Sequence, residues 1–228
     1  MLLLKQLAVA TINRKIQSVK SLFKWALSKK IINNNCAIHL IPLKPQTHER
    51  HYLTEEKLQQ FSQHITHPTI RVIAQFIANT GLRISECTQL LLSDVDFEQC
   101  IVHVLHGKGD KSRVVPLNHR TVLLLKQYLQ TIRPKNSNSL YFFALAKTGS
   151  ISPQYINSVF KKASHEMQHP QLITCHILRH TFASNLVKHN VHIAIIQKLL
   201  GHANVRTTSI YMHTDFQALQ QAVHSLES

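Results

Sequence analysis

Apolar residues recur at helical spacing through most of this chain. From Thr11 to about Lys30 they occupy positions 12, 16, 19, 22, 23, 26 and 27. Intervals of three and four residues place such positions on one side of a helix. Thr11 is the predicted N-cap, because a Thr hydroxyl there can accept a hydrogen bond from the first turn. The apolar side of this helix requires a surface to pack against.

Prolines and polar residues interrupt the pattern at about residues 41–52, which predicts a linker. We therefore predict two parts: a partial helical region with its linker at residues 1–48, and a larger domain at 49–228. A region of fewer than about fifty residues rarely sustains a core of its own. The first part is thus expected to depend on neighbouring structure.

The residue pattern of the second part predicts several helices and one β-hairpin. Thr54 is the expected cap of a helix with two acids in its first turn, which suits the helix dipole. The stretches "CIVHVL" and "RVVPL" flank the turn "HGKGDKS", a pattern typical of a β-hairpin. Other helices are predicted at about 69–79, 118–132, 152–168, 176–189, 192–200 and 205–224, with a loop near 133–139. The predicted fold is mainly α-helical with a small antiparallel β-sheet.

The charge of the chain predicts a polyanionic partner. Its 228 residues contain 26 Lys and Arg against 11 Asp and Glu, a formal net charge of +15. Residues 1–50 hold nine of these bases and one acid, so we expect this segment to face phosphate, with Arg14 and Lys15 among the DNA contacts. A membrane surface is the rival polyanion, but "MLLLKQLAVA" is too short to span a bilayer. Four scattered cysteines without a CxxC pair suit the cytoplasm.

Two short motifs place arginines where they could bind an anion. In "TGLRISE", Arg83 precedes Glu86 by three residues, so one helical turn lets them meet. The pair is either a weak surface ion pair or a guanidinium oriented by its carboxylate toward a phosphate. In "CHILRHTFAS", His176 and Arg179 share a helix face. His176 and His180 could instead bind a metal, but no third ligand is evident, so we predict none.

Two further stretches carry candidate residues. Lys108, Lys111 and Arg113 in and beside the hairpin turn form a cationic group suited to a DNA backbone. In "LLGHANVRTTSIYMH", Tyr211 follows His202 by nine residues. A tyrosine here is either an amphipathic packing residue or a nucleophile. Attack of its hydroxyl on a phosphodiester would give a 3′-phosphotyrosine and a 5′-hydroxyl without ATP, metal or other cofactor.

In this order, four blocks together resemble the tyrosine recombinase (phage integrase) family over about residues 50–228: "TGLRISE", "GKGDKSRVVPL", "HILRHTFAS" and "LLGHANVRTTSIYMH". The resemblance implies the catalytic-domain fold of that family, preceded by a partial helical core-binding region. It also implies a scissile phosphate surrounded by Arg83, Lys108, His176, Arg179 and His202, with Glu86 in support and Tyr211 as nucleophile.

The same resemblance implies a role for each residue. Arg83 and Arg179 would hold the non-bridging oxygens, together with His202. Lys108 would protonate the leaving 5′-hydroxyl, and His176 would assist proton transfer. The partners would be a double-stranded DNA recombination site and three further copies of the chain in a tetramer, with exchange or integration of a mobile element as the outcome.

Two alternatives to this function stay open from the residues alone. A family member whose core-binding region is incomplete could bind DNA through its basic surface without recombining it. A metal-dependent nuclease built on the histidines is the other, although paired carboxylates near them are missing. The target sequence and any accessory protein are beyond what the residue pattern specifies.

Overall fold

A computed structural model describes residues 7–44, 52–105, 112–135 and 138–201. The chain divides into two compact units, residues 1–50 and 51–228. In the described ranges, no helix combines the length and the apolar character needed to cross a bilayer.

The first unit contains helix α1 (Val9–Ser28) and a short 3-10 helix (Cys36–His39). The N-cap of α1 is Ala8, so the prediction that Thr11 caps this helix is wrong. The Thr11 N–H already donates to the Ala8 carbonyl at 2.8 Å, which places Thr11 inside the first turn. The helix therefore begins without a side-chain cap.

Few side chains of this unit are buried. The Asn13 amide holds the returning chain at Leu43, donating to its carbonyl at 2.8 Å and accepting its N–H at 2.7 Å. Among residues 7–44, only Ala37 is buried. Leu22 and Trp25 on α1 remain 58% and 52% exposed. The apolar stripe of α1 thus gains no core from the described part of its own unit.

Most of the described part of the second unit is helical, as the residue pattern predicts. Thr54 caps its first helix by accepting the Lys57 N–H at 3.3 Å. Each predicted helix within the described ranges is present, with ends that agree to within two residues apart from a π-helical turn at Tyr128–Ile132. The helices are α2 (Glu55–His64), α3 (Pro68–Thr80), α4 (Ile84–Thr88), α5 (His119–Gln127), α6 (Pro153–Glu166), α7 (Cys175–Lys188) and α8 (Ile193–Leu200).

A three-stranded antiparallel sheet accompanies these helices, in the order β1 (Val95–Asp96), β2 (Ile101–Val104) and β3 (Arg113–Pro116). The β2–β3 pair is the predicted hairpin, with Val102 opposite Val115. The sequence pattern did not predict β1, which is only two residues long. Val102 and Val115 point into the core, and neither is exposed to solvent.

Helix α3 lies at the centre of the core and packs against α7. Beside α3, four fully buried aromatic rings form one cluster, with successive centroids 5.0–5.9 Å apart: Phe76, Tyr128, Phe142 and Phe143. The Tyr128 hydroxyl accepts the Ala144 N–H at 3.1 Å, so the one polar atom of the cluster is satisfied. This rigid base fixes the helices that carry the candidate site.

Candidate active site

Arg83 and Glu86 meet within one turn, as their spacing predicts. Arg83 is the N-cap of α4, and its backbone N–H donates to Glu86 Oε2 at 2.8 Å. Its guanidinium donates through Nη1 to Oε1 at 2.7 Å. The Glu86 side chain is 1% exposed and that of Arg83 is 23% exposed. This burial distinguishes the pair from an ordinary surface ion pair.

A second arginine holds the same carboxylate. Arg113, at the start of β3, donates to both Glu86 oxygens at 2.8 Å, and its side chain is 10% exposed. We expected Arg113 to contact DNA as part of an exposed cationic turn. The structure instead directs its guanidinium inward, because β3 packs against α8 and the side chain reaches Glu86 and the Leu199 carbonyl from there.

The ionised state of Glu86 is strongly stabilised. Burial raises the pKa of the Glu86 carboxyl, but the hydrogen bonds from the Arg113 side chain and the Arg83 N–H, together with the positive charge of Arg113, outweigh it and lower the pKa from 4.5 to about 2. Glu86 is therefore a carboxylate throughout the neutral range. A carboxylate so held is a fixed anchor for Arg83.

We expect this pair to make stability sensitive to acid. A carboxyl with a lowered pKa in the folded state contributes stability that is present above about pH 4.5 and is lost as the pH falls toward 2. The loss amounts to about 3 kcal/mol. Urea unfolding of the protein across this pH range, compared with Glu86→Gln, measures it. The variant should be less stable at pH 7 but lose less on acidification, whereas parallel curves would contradict the assignment.

Arg179 occupies the next helix of the site. The Thr174 hydroxyl caps α7 by accepting the Ile177 N–H at 3.3 Å, and Arg179 follows in the second turn. Arg179 is 5% exposed. Its Nη1 donates to the Gly81 carbonyl at 2.5 Å and its Nη2 to the Leu200 carbonyl at 2.6 Å. Two backbone segments thus fix the orientation of the guanidinium.

The C-terminal end of α8 is where the three arginines converge. Arg113 Nε donates to the Leu199 carbonyl at 2.8 Å, Arg179 donates to that of Leu200, and Arg83 Nη2 donates to that of Gly201 at 3.1 Å. These carbonyls carry the partial negative charge of a helix C-terminus, which favours cations. Three consecutive backbone oxygens therefore gather three guanidinium groups in one place.

Arg83, His176 and Arg179 border one cavity of about 550 Å³. His176 is exposed on α7, one turn before Arg179. Lys161 of α6 lines the same cavity, so several cations surround a space that can admit an anionic group. His176 and Arg179 both line this cavity, as their spacing predicts, but His176 is exposed whereas Arg179 is buried and directed into the protein.

The His176 and His180 rings lie 6.5 Å apart, centroid to centroid. Within the four described stretches of the chain, no three His, Cys, Asp or Glu side chains come together as a metal-binding group. Lys108, Lys111, His202 and Tyr211 lie outside the described residues, as does the predicted helix at 205–224. Arg14 and Lys15 are exposed on α1 of the first unit.

Gly81 allows the backbone to approach this site closely. It ends α3 in the left-handed region with φ +66°, and a Cβ built on it would lie 2.5 Å from Phe182 Cδ1 and 2.8 Å from Leu200 Cδ2. We expect Gly81→Ala to lower the free energy of unfolding by about 2–4 kcal/mol, from left-handed strain and overpacking together. Urea unfolding measures this loss.

Gly149→Ala is the matched control for that substitution. Gly149 also has a positive φ, +65°, but a Cβ built on it would meet only Ser139, with Ser139 Cβ at 3.3 Å and Oγ at 3.7 Å. We expect a loss of about 1–2 kcal/mol there, mostly from backbone strain, because the contact with Ser139 is less severe than that of Gly81 with Phe182. Equal losses in the two variants would show that the close packing of Phe182 on Gly81 adds nothing.

Comparison with known proteins identifies the family. The model of the phage integrase family matches residues 51–218. The chain belongs to the phage integrase family. This membership confirms the enzyme class predicted from the motifs, a site-specific recombinase of the tyrosine type. The matched range covers the second unit except its last ten residues, so the family assignment includes every element that carries the candidate site.

Two relatives and one solved structure illustrate the similarity. The chain is 29% identical to tyrosine recombinase XerC of Lacticaseibacillus casei (strain BL23) over 95% of its own length and 76% of the relative. It is 31% identical to tyrosine recombinase XerA of Pyrococcus furiosus, over 96% and 75%. The Tn1549 transposon integrase in complex with a circular intermediate DNA has the same fold, with a TM-score of 0.80 at 21% identity over 97% of this chain and 81% of that one. The predicted recombinase fold is confirmed.

Two contributors to the site lie inside the quoted motifs but were not predicted as site residues. Gly81 and Leu200 act through backbone carbonyls, and carbonyls are present at every position, so no residue pattern marks them. The pairing of Arg113 with Glu86 had a weak signal: a buried acid requires cationic partners, and Arg113 is the base on a predicted strand nearest the turn. That signal does not identify which surface the strand faces.

Proposed function

We propose that this protein cleaves and rejoins double-stranded DNA at a specific site through a covalent 3′-phosphotyrosyl intermediate on Tyr211. One observation carries the proposal: Arg83, His176 and Arg179, from two helices distant in the sequence, border a single cavity, and Arg83 also donates to the Gly201 carbonyl. Gly201 immediately precedes the stretch that contains His202 and Tyr211. A metal-free phosphoryl transfer requires this kind of fixed cationic group.

The proposed chemistry begins with the two arginines. A pentavalent phosphate develops charge on its non-bridging oxygens, and guanidinium groups already oriented by protein contacts stabilise that charge without reorganising. Glu86 fixes Arg83, and the Gly81 and Leu200 carbonyls fix Arg179. The phosphate oxygens would compete with these carbonyls for the guanidinium N–H groups, with His202 as a further donor.

Proton transfers accompany the displacement. The Tyr211 oxygen forms a bond to phosphorus while the bond from phosphorus to the 5′ oxygen breaks. His176 takes the tyrosine proton, and Lys108 gives a proton to the leaving oxygen, so the products are a phosphotyrosine and a 5′-hydroxyl. Attack by a 5′-hydroxyl of another strand reverses the step and releases the tyrosine. The bond energy is conserved, so the rejoining step needs no cofactor.

The finer assignments follow from the same proposal. Exchange between two duplexes requires several active sites together, so we propose that the protein acts as a homotetramer on DNA. Exposed Arg14 and Lys15 would contact the backbone with Lys111. We also propose a cytoplasmic location, with a mobile element as the source of the recombining site. The net charge of +15 is consistent with this partner.

A trapping experiment tests the proposal. The protein is incubated with chelator and a library of randomised duplexes, each nicked near its centre so that a short 5′-hydroxyl fragment is lost after cleavage. We expect a covalent adduct on a denaturing gel, with DNA attached to the peptide that contains Tyr211. Sequencing of the trapped DNA then identifies the preferred site, which later measurements use.

Three results would contradict the proposal. An adduct linked to another residue would reject Tyr211 as nucleophile. Cleavage that chelator abolishes would favour a metal-dependent nuclease. Salt-sensitive DNA binding with no adduct on any library member would favour a protein that only binds DNA.

A further inference from the structure

Arg113 makes more contacts with the site than a strand residue needs for packing. Its guanidinium presents five N–H groups in a planar fork. Nε donates to the Leu199 carbonyl, while Nη1 and Nη2 each donate to a different oxygen of Glu86, all at 2.8 Å. One side chain therefore joins β3, α4 and the end of α8.

Glu86 depends on Arg113 for half of its hydrogen bonds. Oε1 accepts from Arg83 Nη1 and Arg113 Nη1, and Oε2 accepts from the Arg83 N–H and Arg113 Nη2. A carboxylate with two bonds on each oxygen cannot rotate without breaking several of them. Without Arg113, the buried Glu86 would be held by Arg83 alone. No third group would then anchor the carboxylate that orients the Arg83 guanidinium.

The end of α8 is shaped around the same side chain. Gly201 ends the helix with φ +62°, and a Cβ on it would lie 3.0 Å from Arg113 Nη1 and 3.1 Å from its Cδ. The glycine thus lets the backbone lie directly against the arginine. Because Arg83 and Arg179 donate to Gly201 and Leu200, a displacement of this helix end would also move their acceptors.

We propose that Arg113 is a positioning residue for DNA strand cleavage: through Glu86 it fixes Arg83, and through Leu199 it fixes the end of α8. This inference rests on the proposed function, in which Arg83 binds the scissile phosphate. Arg113 itself need not touch DNA. Its role accounts for an arginine that is almost fully buried beside a site otherwise built to accept an anion.

The test compares three variants with the unaltered full-length protein on the trapped DNA site. Arg113→Met removes the fork and keeps the length of the side chain, and Arg113→Lys keeps the charge without the fork. Arg120→Met is the matched control, because Arg120 also pairs with a glutamate, Glu55, but both side chains are at least 80% exposed. For each protein, DNA affinity, the single-turnover rate of adduct formation and the folded fraction at the assay temperature are measured.

We expect Arg113→Met to slow adduct formation by about 10²-fold per folded molecule, the effect of a small misplacement of a catalytic group. DNA affinity should change little, because it comes mostly from exposed Lys and Arg side chains outside this site. Arg113→Lys should recover part of the rate, since one ammonium can still pair with Glu86. Arg120→Met should match the unaltered protein in all three measurements.

A rate in Arg113→Met equal to that of Arg120→Met would overturn the inference. So would a loss fully explained by the unfolded fraction, or one matched by an equal loss of DNA affinity, since either indicates a structural or a binding role. If the Met variant does not fold, the Lys variant is judged by the same criteria. Absence of any adduct with the unaltered protein would instead reject the proposed function, and the role of Arg113 with it.

Discussion

Tyr211→Phe is expected to abolish the covalent protein–DNA adduct, with a loss of about 10⁴-fold or more in the rate of cleavage. Phenylalanine retains the aromatic ring but lacks the hydroxyl oxygen that we propose bonds to phosphorus. No neighbouring hydroxyl is expected to replace it, because the arginines that we propose bind the phosphate are fixed and would stabilise charge at only one place. The measurement is single-turnover adduct formation on the trapped site, resolved on a denaturing gel.

Tyr155→Phe is the control for that substitution. Tyr155 lies on α6, is 38% exposed, and its ring packs edge-to-face against His67. Removing its hydroxyl should leave adduct formation unchanged. DNA affinity should be retained in both variants, since neither substitution removes a positively charged side chain. An adduct that persists in Tyr211→Phe would assign the nucleophile to another residue.

Arg179→Met is expected to have the second largest effect, on both folding and cleavage. The substitution leaves the Gly81 and Leu200 carbonyls without their donor, which should lower the free energy of unfolding by about 2–4 kcal/mol. It also removes a proposed donor to the developing phosphate charge, which we expect to cost about 10²–10³-fold in rate. Urea unfolding gives the first number, and adduct formation per folded molecule gives the second.

Arg133→Met separates these two effects. The Arg133 guanidinium also donates to backbone carbonyls, those of Ser139, Tyr141 and Phe142, but it lies outside the candidate site. Its loss should destabilise the fold while leaving the cleavage rate per folded molecule unchanged. If Arg179→Met retains that rate as well, Arg179 is a structural residue and has no part in the chemistry.

The helical scaffold could be predicted because burial leaves a periodic pattern. The apolar spacing of α3, α6 and α7 and the cap at Thr54 predicted helices whose ends agree closely with the structure. The strand β1 was missed because two residues cannot show an alternation. The start of α1 was misplaced because Thr11 is a better cap than Ala8, but the first turn forms before it. The capping preference of a single residue does not determine where a helix begins when the residues before it can also adopt helical geometry.

The candidate site could be predicted only in part, for a different reason. Arg83, Glu86, His176 and Arg179 lie in short motifs whose spacing brings neighbours together. The orientation of Arg113 depends on how β3 packs against α8, which is set by the sheet and not by the residues around the turn. The contacts of the arginines with the carbonyls of α8 are contacts with backbone, which no side-chain pattern encodes.

The hydrogen bonds from three arginines to three successive carbonyls should make the end of α8 intolerant of insertions and deletions. One residue added to α8 would turn its end by about 100° and exchange the partners of Arg113, Arg179 and Arg83. The length of this helix is therefore as constrained as the identity of the arginines. A chimera that takes its C-terminal segment from another recombinase should be joined after Gly201, because Gly201 carries the last of the three carbonyls that accept from these arginines.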